Sequence, residues 1–320
     1  MTSQTKIVVP GDEPPQIQNS PHLDQLNGRG ELVVHTDRPS DNSEKIARVQ
    51  DAEIIMNTRG TIKWSDEDFA QLPDLKMITT CSIGTDMFDL DAAKARGIII
   101  SNQPGRTAPV VAEHMFGLML AVAKRVTYLT DKMRQGQWPR MDNVMLQGRT
   151  LGVIGTGAIG SEMARLARAI DMKVIAWTYN RSEERAREIG VEYRSMEDVL
   201  SESDVLSVHV KLTSDSQGLI GKDQFDMMKP NTIFLNGARG PVVDTDALIQ
   251  ALNSGHLMGA GIDVFDEEPT PPDHPLFSCE HAILTPHCAD MTPEGVNLLN
   301  EGAVNNVLAY LDGNPVNRVT

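Results

Sequence analysis

The sequence is short of basic residues, of cysteine and of long apolar runs. Its 320 residues contain 29 Lys and Arg against 44 Asp and Glu, a formal net charge of −15. Because an acidic surface repels phosphate backbones and anionic lipid, we expect neither a nucleic acid nor a membrane as partner. The longest apolar run, Met115–Ala123, is too short to cross a bilayer. The 3 cysteines form no CxxC pair, which predicts reduced thiols in a cytoplasmic protein and no metal site.

What the chain does contain is a regular alternation of short apolar runs and helical stretches. This alternation predicts an α/β protein with parallel sheets, and the length suits about two domains of roughly 150 residues. Between two series of strands we predict one long helix, from Ala108 to about Arg134. The first series is expected at Lys6–Val9, Leu32–His35, Glu53–Asn57, Met77–Cys81 and Gly97–Ser101, and the second at Leu151–Gly155, Lys173–Trp177, Val205–Val210, Thr232–Asn236, Gly261–Val264 and Ile283–Thr285.

The two series predict two domains, of which the first is discontinuous. Residues 1–102 and 292–320 are expected to form one domain and residues 103–291 the other, because the last helix, about Pro293–Leu311, returns to the first series. Asp290 is the expected N-cap of that helix, and a contact of its carboxylate with the ligand is the alternative. A cleft between two such domains is the usual place for a small ligand.

A glycine fingerprint, GxGxxG, lies between a predicted strand and a predicted helix. Gly155 suits the tight turn, Gly157 allows the backbone to approach a pyrophosphate, and Gly160 allows close packing of helix and strand. The helix N-terminus at Ala158 and Ile159 supplies N–H groups for the anion. In this strand–turn–helix context the motif predicts a dinucleotide site, and a glycine-rich turn without a ligand is the alternative.

The second strand of this unit lacks the acid that usually binds the 2′-hydroxyl of NAD. Thr178 stands at the expected position, followed by Asn180 and Arg181. Without the carboxylate a 2′-phosphate is not repelled, and Arg181 is able to pair with it. The pattern favours NADP slightly over NAD. In the alternative, Arg181 points into solvent and NAD binds without its usual acid.

Three polar residues follow successive late strands, at the sheet edge where α/β proteins place their sites. Arg239 follows Thr232–Asn236, Glu268 follows Gly261–Val264, and His287 follows Ile283–Thr285. A single histidine after a strand is more often structural than catalytic. Three such residues beside a dinucleotide fingerprint indicate a redox site.

At this point the chain resembles the D-isomer-specific 2-hydroxyacid dehydrogenase family over nearly its whole length. The resemblance implies a Rossmann cofactor domain inserted into a flavodoxin-like substrate domain, and a homodimer built largely through the cofactor domains. Besides the glycine fingerprint, the motifs that carry it are Gly84-Thr-Asp86, Asn102-Gln-Pro104-Gly105, Val111-Ala-Glu113-His114, Ala238-Arg239-Gly240, Asp263-Val-Phe265 and Thr285-Pro-His287.

The resemblance also implies roles for individual residues. His287 would exchange the hydroxyl proton, Glu268 rather than its neighbour Glu267 would fix the imidazole, and Arg239 would hold the substrate carboxylate. Backbone N–H groups of Ser82, Ile83 and Gly84 would bind the same carboxylate. The remaining expected contacts lie along the cofactor: His209, Val210, Thr213, Ala238 and Asp263, with Arg239 and His287 also adjoining it.

The implied activity is NAD(P)-dependent oxidation of a D-2-hydroxy acid or reduction of a small 2-oxo acid such as glyoxylate or hydroxypyruvate. Arg59, after the third strand, is a candidate for a distal phosphate, which keeps 3-phosphoglycerate dehydrogenase as an alternative. An alternative of another class is a binding module of the co-repressor type that senses a dinucleotide. Such a module would need a peptide-binding groove on the N-terminal domain, and nothing in the sequence of residues 1–100 indicates one.

Overall fold

A computed structural model describes residues 4–58, 60 and 62–320. The strands are β1 Lys6–Val9, β2 Glu31–Val34, β3 Ile54–Asn57, β4 Met77–Thr80, β5 Ile99–Ser101, β6 Thr150–Ile154, β7 Lys173–Trp177, β8 Glu192–Tyr193, β9 Val205–Val208, β10 Thr232–Asn236, β11 Leu257–Ile262 and β12 Ala282–Leu284. The α-helices are α1 Asn42–Val49, α2 Asp66–Ala70, α3 Leu90–Ala95, α4 Ala108–Ala123, α5 Val126–Arg134, α6 Ala158–Ala169, α7 Glu183–Ile189, α8 Met196–Glu202, α9 Lys222–Met227, α10 Thr245–Asn253 and α11 Pro293–Leu311. Short 3-10 turns occupy Pro21–Leu26, Gly240–Val242 and Pro275–Ser278.

The chain divides into two compact units. One consists of the described residues of Met1–Thr107 together with Thr292–Thr320, and the other is Ala108–Met291. The first boundary falls after Thr107, whereas the sequence places it after residue 102. The reason is local, because the backbone N–H of Gln103 donates to the carbonyl of Ser82 at 3.0 Å and its side chain donates to Thr80 O at 3.1 Å.

The first unit is built on a five-stranded parallel sheet in the order β2-β1-β3-β4-β5. This is the flavodoxin-like order, in which ligands bind beyond the carboxyl ends of the strands. Strands β3 and β4 are buried along their whole length because helices cover both faces of the sheet. On one face, α11 packs Leu299, Ala303 and Val307 into the apolar core.

The second unit is built on a seven-stranded parallel sheet in the order β12-β11-β10-β9-β6-β7-β8. Strand β6 lies where the strand order reverses, with β9 on one side and β7 on the other. In doubly wound sheets this reversal opens the crevice that holds a dinucleotide. The loop after β6 carries the glycine fingerprint, so the fold places that motif at the expected point.

The long helix expected from Ala108 to Arg134 is two helices. Arg125 adopts a left-handed backbone with φ 50°, which ends α4 and allows α5 to leave in a new direction. The two helices also differ in environment, because α4 has many buried apolar residues whereas α5 has none. In the described part of the chain, no helix is both long and apolar enough to cross a membrane.

The expected cap of the last helix is also corrected. Thr292, not Asp290, is the N-cap of α11, and its hydroxyl accepts a hydrogen bond from the N–H of Gly295 at 3.0 Å. Pro293 occupies the first turn, where its missing N–H costs no hydrogen bond. A Thr-Pro pair therefore defines this helix start better than an acid two residues earlier.

Candidate active site

The glycine loop after β6 has a backbone that larger residues would not permit. Gly155 has φ +97°, and a Cβ there would lie 2.9 Å from the carbonyl carbon of His209. A Cβ on Gly160 would overlap the carbonyl oxygen of Gly155, so this glycine lets α6 approach β6 closely. Gly157 differs from both, because a Cβ there would meet no atom of the described chain within 4 Å. Its backbone therefore borders open space.

The start of α6 fits the pyrophosphate of a dinucleotide. Gly157 is the N-cap and provides no side-chain cap, and both Gly157 and Ala158 are exposed, with Ile159 half-buried. The first N–H groups of a helix point outward and carry a partial positive charge that favours an anion. An uncapped N-terminus beside an open glycine backbone is the arrangement that a bound pyrophosphate would complete.

His209 lies beside this loop, and Val210 directly after it is buried. Burial lowers the pKa of His209 to about 4, so the ring is neutral at physiological pH. One ring nitrogen lies 2.8 Å from the hydroxyl of Ser207, and Nδ1 is buried without a hydrogen-bond partner among the described residues. Further along the same loop Thr213 is exposed, and its N–H donates to the hydroxyl of Ser216 at 2.8 Å.

Two arginines follow β7 near the expected ribose position. Thr178 is half-buried, and Asn180 and Arg181 are exposed. Arg181 donates to the carbonyl of Arg194 at 2.6 Å, so one edge of its guanidinium is fixed by the chain. Arg185 on α7 donates to the hydroxyl of Ser161 in the first turn of α6 at 3.3 Å. The sequence analysis did not identify Arg185 as a candidate cofactor residue. Its position four residues after Arg181, about one helical turn, could have indicated it.

His287 and Glu268 form a close pair. Nδ1 of His287 lies 2.6 Å from Oε2 of Glu268, and the other carboxylate oxygen accepts the N–H of Phe265 at 2.9 Å. The hydrogen bond that His287 donates to Glu268 raises the pKa of His287, although burial and the charge of Arg239 oppose it. Burial by itself raises the pKa of Glu268, but the bond and charge of His287 outweigh it and hold that pKa below its usual value. Each partner therefore favours the charged form of the other.

Arg239 lies on a turn that is packed against the segment leading to Glu268. A Cβ on Gly240 would overlap the backbone of Phe265 and Asp266, so only glycine allows the two segments to approach. The side chain of Asn236 holds the turn at both ends, because it donates to Arg239 O at 3.1 Å and accepts from the N–H of Ala238 at 3.0 Å. The Arg239 guanidinium donates to Ala238 O at 2.7 Å, and its charge lowers the pKa of both His287 and Glu268.

Asp263 is almost fully buried and anchors the turn that carries His287. Its carboxylate accepts the hydroxyl of Thr285 at 2.6 Å and the N–H groups of Cys288 and Ala289 at 3.0 and 3.1 Å. His287 itself has φ 49°, a left-handed backbone that is uncommon for a residue with a side chain. These bonds on either side of His287 stabilise that conformation. Asp263, expected to meet the cofactor, is mainly bound to its own chain.

His114 and Cys288 adjoin Asp263, and sequence spacing did not bring these residues together. Nε2 of His114 lies 3.0 Å from the hydroxyl of Thr285 and 3.5 Å from Asp263. The potential ligand atoms of His114, Asp263 and Cys288 all lie within 4.8 Å of one another. They come from α4, from the end of β11 and from the turn after β12, so no local motif indicates the cluster.

In the first unit, Ser82, Ile83 and Gly84 follow β4 and are half-buried. Among the described residues, no acceptor is found for the N–H groups of these three residues. The loop thus offers a row of backbone donors, as expected for binding a carboxylate. Arg59, the candidate for a distal phosphate, lies outside the described residues.

The family is decided by comparison with known proteins. Residues 116–289 match the family described as D-isomer specific 2-hydroxyacid dehydrogenase, NAD binding domain. The glyoxylate reductase of Aeropyrum pernix is 38% identical over 262 residues, which are 78% of this chain and 78% of that protein. The chain belongs to this family. As a D-2-hydroxyacid dehydrogenase it is an NAD(P)-dependent oxidoreductase that acts on the CH–OH group of its donor.

Two further relatives match most of this D-2-hydroxyacid dehydrogenase. The D-3-phosphoglycerate dehydrogenase of Archaeoglobus fulgidus is 37% identical over 284 residues, which are 88% of this chain and 53% of that protein. The solved structure of D-lactate dehydrogenase from Aquifex aeolicus with NAD and lactic acid is 30% identical, with a TM-score of 0.85 over 97% of this chain and 96% of that one. The expected family, fold class and nicotinamide cofactor are therefore confirmed.

Proposed function

We propose that this D-2-hydroxyacid dehydrogenase reduces a small 2-oxo acid, glyoxylate or hydroxypyruvate, with NADPH. The observation that carries the proposal is the His287–Glu268 pair, 2.6 Å apart and next to the Arg239 turn. The relative with the name glyoxylate reductase supports the substrate class. The roles of the individual residues below belong to the same proposal.

His287 moves the proton. Its Nδ1 is bound to Glu268, so Nε2 is the nitrogen that faces the substrate oxygen and gives it a proton during reduction. The hydrogen bond to Glu268 raises the pKa of His287 and so favours the protonated ring that this step requires. When bound, the nicotinamide supplies the hydride for the C2 carbon, or accepts it in the reverse direction. Glu268 fixes the ring and stabilises the imidazolium before transfer.

Arg239 in the second unit and the loop Ser82–Gly84 in the first unit each present hydrogen-bond donors that suit the anionic end of a substrate. A guanidinium offers several donors in a fixed plane, which suits a carboxylate and the adjacent C2 oxygen. The free N–H groups of the loop suit the same chemistry. Accordingly the unit that contains Ser82–Gly84 acts as the substrate domain, and Ala108–Met291 acts as the cofactor domain.

The preference for NADP rests on the segment after β7. Thr178 presents no carboxylate, Arg181 follows the same strand, and Arg185 donates to the hydroxyl of Ser161 in the first turn of α6. Replacing Arg181 by Ala should raise the KM for NADPH several-fold and leave the KM for NADH nearly unchanged, because only NADPH carries the 2′-phosphate. Steady-state kinetics with both cofactors measures this. An equal rise for both would contradict recognition of the phosphate by Arg181.

A second candidate is 3-phosphoglycerate dehydrogenase, which the Archaeoglobus fulgidus relative favours. Rates with glyoxylate, hydroxypyruvate, pyruvate and 3-phosphohydroxypyruvate, each with NADPH and NADH, decide between the two. A kcat/KM that is highest for the phosphorylated acid would favour the second candidate. Tight cofactor binding without turnover of any 2-oxo acid would instead favour the dinucleotide-sensing module.

We also propose a cytoplasmic homodimer. Helix α5 and the segment after it expose several large apolar side chains, which is unusual for the surface of a monomer. A second copy of this chain would cover them. The residues are Val126, Met133, Trp138, Met141 and Met145.

A further inference from the structure

The loop after β4 is held by hydrogen bonds to its carbonyl oxygens. The side chain of Asn102 donates to Ile83 O at 2.7 Å. Gln103 donates twice, from its backbone N–H to Ser82 O at 3.0 Å and from its side chain to Thr80 O at 3.1 Å. Two adjacent residues at the end of β5 thus fix three carbonyls of the neighbouring strand end.

The remaining two carbonyls of the loop are also bound. Gln16 donates from its side chain to Cys81 O at 3.3 Å, and the hydroxyl of Ser82 donates to Gly84 O at 2.9 Å. Since that hydroxyl gives its one proton to Gly84, the hydroxyl of Thr80, 2.9 Å away, is the donor to Ser82. Every carbonyl from Thr80 to Gly84 therefore accepts a hydrogen bond.

Fixing a carbonyl also fixes the next N–H. In a trans peptide the C=O and the following N–H point in opposite directions within one plane. The bonds to Cys81 O, Ser82 O and Ile83 O thus fix the directions of the N–H groups of Ser82, Ile83 and Gly84, each opposite to the carbonyl of its own peptide. These are the same N–H groups for which the described residues provide no acceptor.

Asn102 is itself tied to the C-terminal segment through two asparagines. Asn102 is 6% exposed, and its carbonyl accepts the side-chain N–H of the fully buried Asn306 at 3.0 Å. The side chain of Asn317 donates to the carbonyl oxygen of the Asn306 side chain at 2.9 Å, and Asn317 O accepts the N–H of Asn102 at 3.2 Å. Asn306 and Asn317 therefore fix Asn102, and Asn102 in turn fixes the loop after β4.

We propose that Asn102 is a positioning residue for substrate binding, which aims the N–H groups of Ser82, Ile83 and Gly84 at the substrate carboxylate, and that Asn317 and Asn306 keep it in place. Asn102 touches the loop and acts through it. The inference rests on the proposed function, because it assumes that the loop binds a 2-oxo acid.

The test is Asn102→Asp, which keeps the shape but replaces an N–H donor by an acceptor that repels Ile83 O. We expect the KM for glyoxylate and the dissociation constant of oxamate, a non-reducible carboxylate analogue, to rise about tenfold. The kcat and the Kd for NADPH should stay within about twofold, since the lost interaction acts alike on ground and transition state. Unchanged KM and oxamate constants, or a loss confined to kcat, would overturn the proposal.

A second pair of variants keeps the test valid if Asn102→Asp folds poorly. Asn317→Gly removes the exposed donor to Asn306 while glycine suits the left-handed backbone there, φ 54°. It should raise the same two constants by a smaller factor, and an unchanged pair of constants would refute the link to the C-terminus. Asn314→Gly, on the same segment, removes a side chain that donates to Asp312 O rather than to Asn306, and this matched control should alter neither constant.

Oxamate binding separates this inference from the proposed function. If the natural protein binds oxamate tightly yet reduces no 2-oxo acid, the proposed activity fails while the role of Asn102 is still measured by the oxamate constant. If the natural protein reduces glyoxylate and Asn102→Asp does so with the same KM, the role of Asn102 fails alone. A natural protein that neither binds oxamate nor reduces glyoxylate would overturn both.

Discussion

The hydrogen bond between His287 and Glu268 shifts the pKa of both residues. Their contribution to the free energy of unfolding therefore depends on pH. The pKa of His287 is raised above 6.5, so its contribution is complete below that value and is lost as pH rises through the folded-state pKa. The pKa of Glu268 is lowered below 4.5, so its contribution is present above that value and is lost as pH falls through the folded-state pKa. Between pH 4.5 and pH 6.5, the ordinary pKa values of the two groups, the pair therefore makes its full contribution to the free energy of unfolding.

Replacing Glu268 by Gln should shift the pH profile of reduction. In the proposed mechanism reduction needs a protonated His287, and without the carboxylate the burial of the ring and the charge of Arg239 both lower the His287 pKa. The basic limb of kcat/KM should therefore move to lower pH, with a fall in kcat/KM of about 10- to 100-fold at neutral pH. Replacing the neighbouring Glu267 by Gln is the control. A basic limb at the same pH in both variants would contradict the pairing.

His287 is best removed by His287→Asn. Asn adopts the left-handed backbone more readily than Ala, so the φ of 49° is kept while the acid–base group is lost. We expect kcat to fall by about 100-fold or more, with the Kd for NADPH nearly unchanged. Single-turnover rates and fluorescence titration with NADPH measure the two quantities. A variant that keeps its kcat would exclude His287 as the proton donor.

At the scale of elements, Gly157 and Gly160 of the β6–α6 turn are expected to have different roles, one in cofactor binding and the other in stability. Gly160→Ala should lower the free energy of unfolding by about 1–3 kcal/mol, because the added Cβ overlaps the carbonyl oxygen of Gly155. Gly157→Ala should leave stability nearly unchanged, since no described atom lies within 4 Å of the new Cβ.

For cofactor affinity we expect the reverse: Gly157→Ala, which hardly changes stability, should weaken NADPH binding the more for the stability that it loses. Gly157→Ala should raise the Kd for NADPH at least several-fold, because its methyl group occupies the space that the pyrophosphate needs. Denaturant unfolding and NADPH titration of both variants provide the measurements. A Gly157→Ala protein with unchanged affinity would show that the pyrophosphate does not approach this backbone.

At the scale of the whole molecule, the proposed homodimer depends on the exposed apolar residues of α5 and the segment that follows it. Met133→Glu should shift the equilibrium from dimer to monomer, because a charge at 51% exposure costs little in a monomer but is desolvated in an interface. Met227→Glu, at a residue of the same unit with 46% exposure, is the matched control. Light scattering after gel filtration gives the mass. The interface would be contradicted if the natural protein were a monomer, or if the Met133→Glu variant were still a dimer.

The sequence did not predict the two-residue strand β8, and it placed β11 at Gly261–Val264 instead of Leu257–Ile262. It did predict the other strands, the glycine fingerprint and the three polar residues at strand ends. These features were predictable because period, turn chemistry and the parallel sheet act locally or by a fixed rule: the carboxyl ends of parallel strands meet at one edge. The choice of Glu268 over Glu267 followed from resemblance to the family. Its contact with His287 at 2.6 Å is a fact of the fold.

Only the tertiary structure decided which distant residues hold the site in shape. Asp263 bound to the turn of His287, Gly240 packed on Phe265, and Asn317 linked through Asn306 to Asn102 all join segments that no local pattern relates. The break at Arg125 likewise follows from packing, since α4 is buried and α5 is not. The physical reason is that a side-chain hydrogen bond or a close glycine contact depends on where the chain returns, which is settled by burial of the whole core.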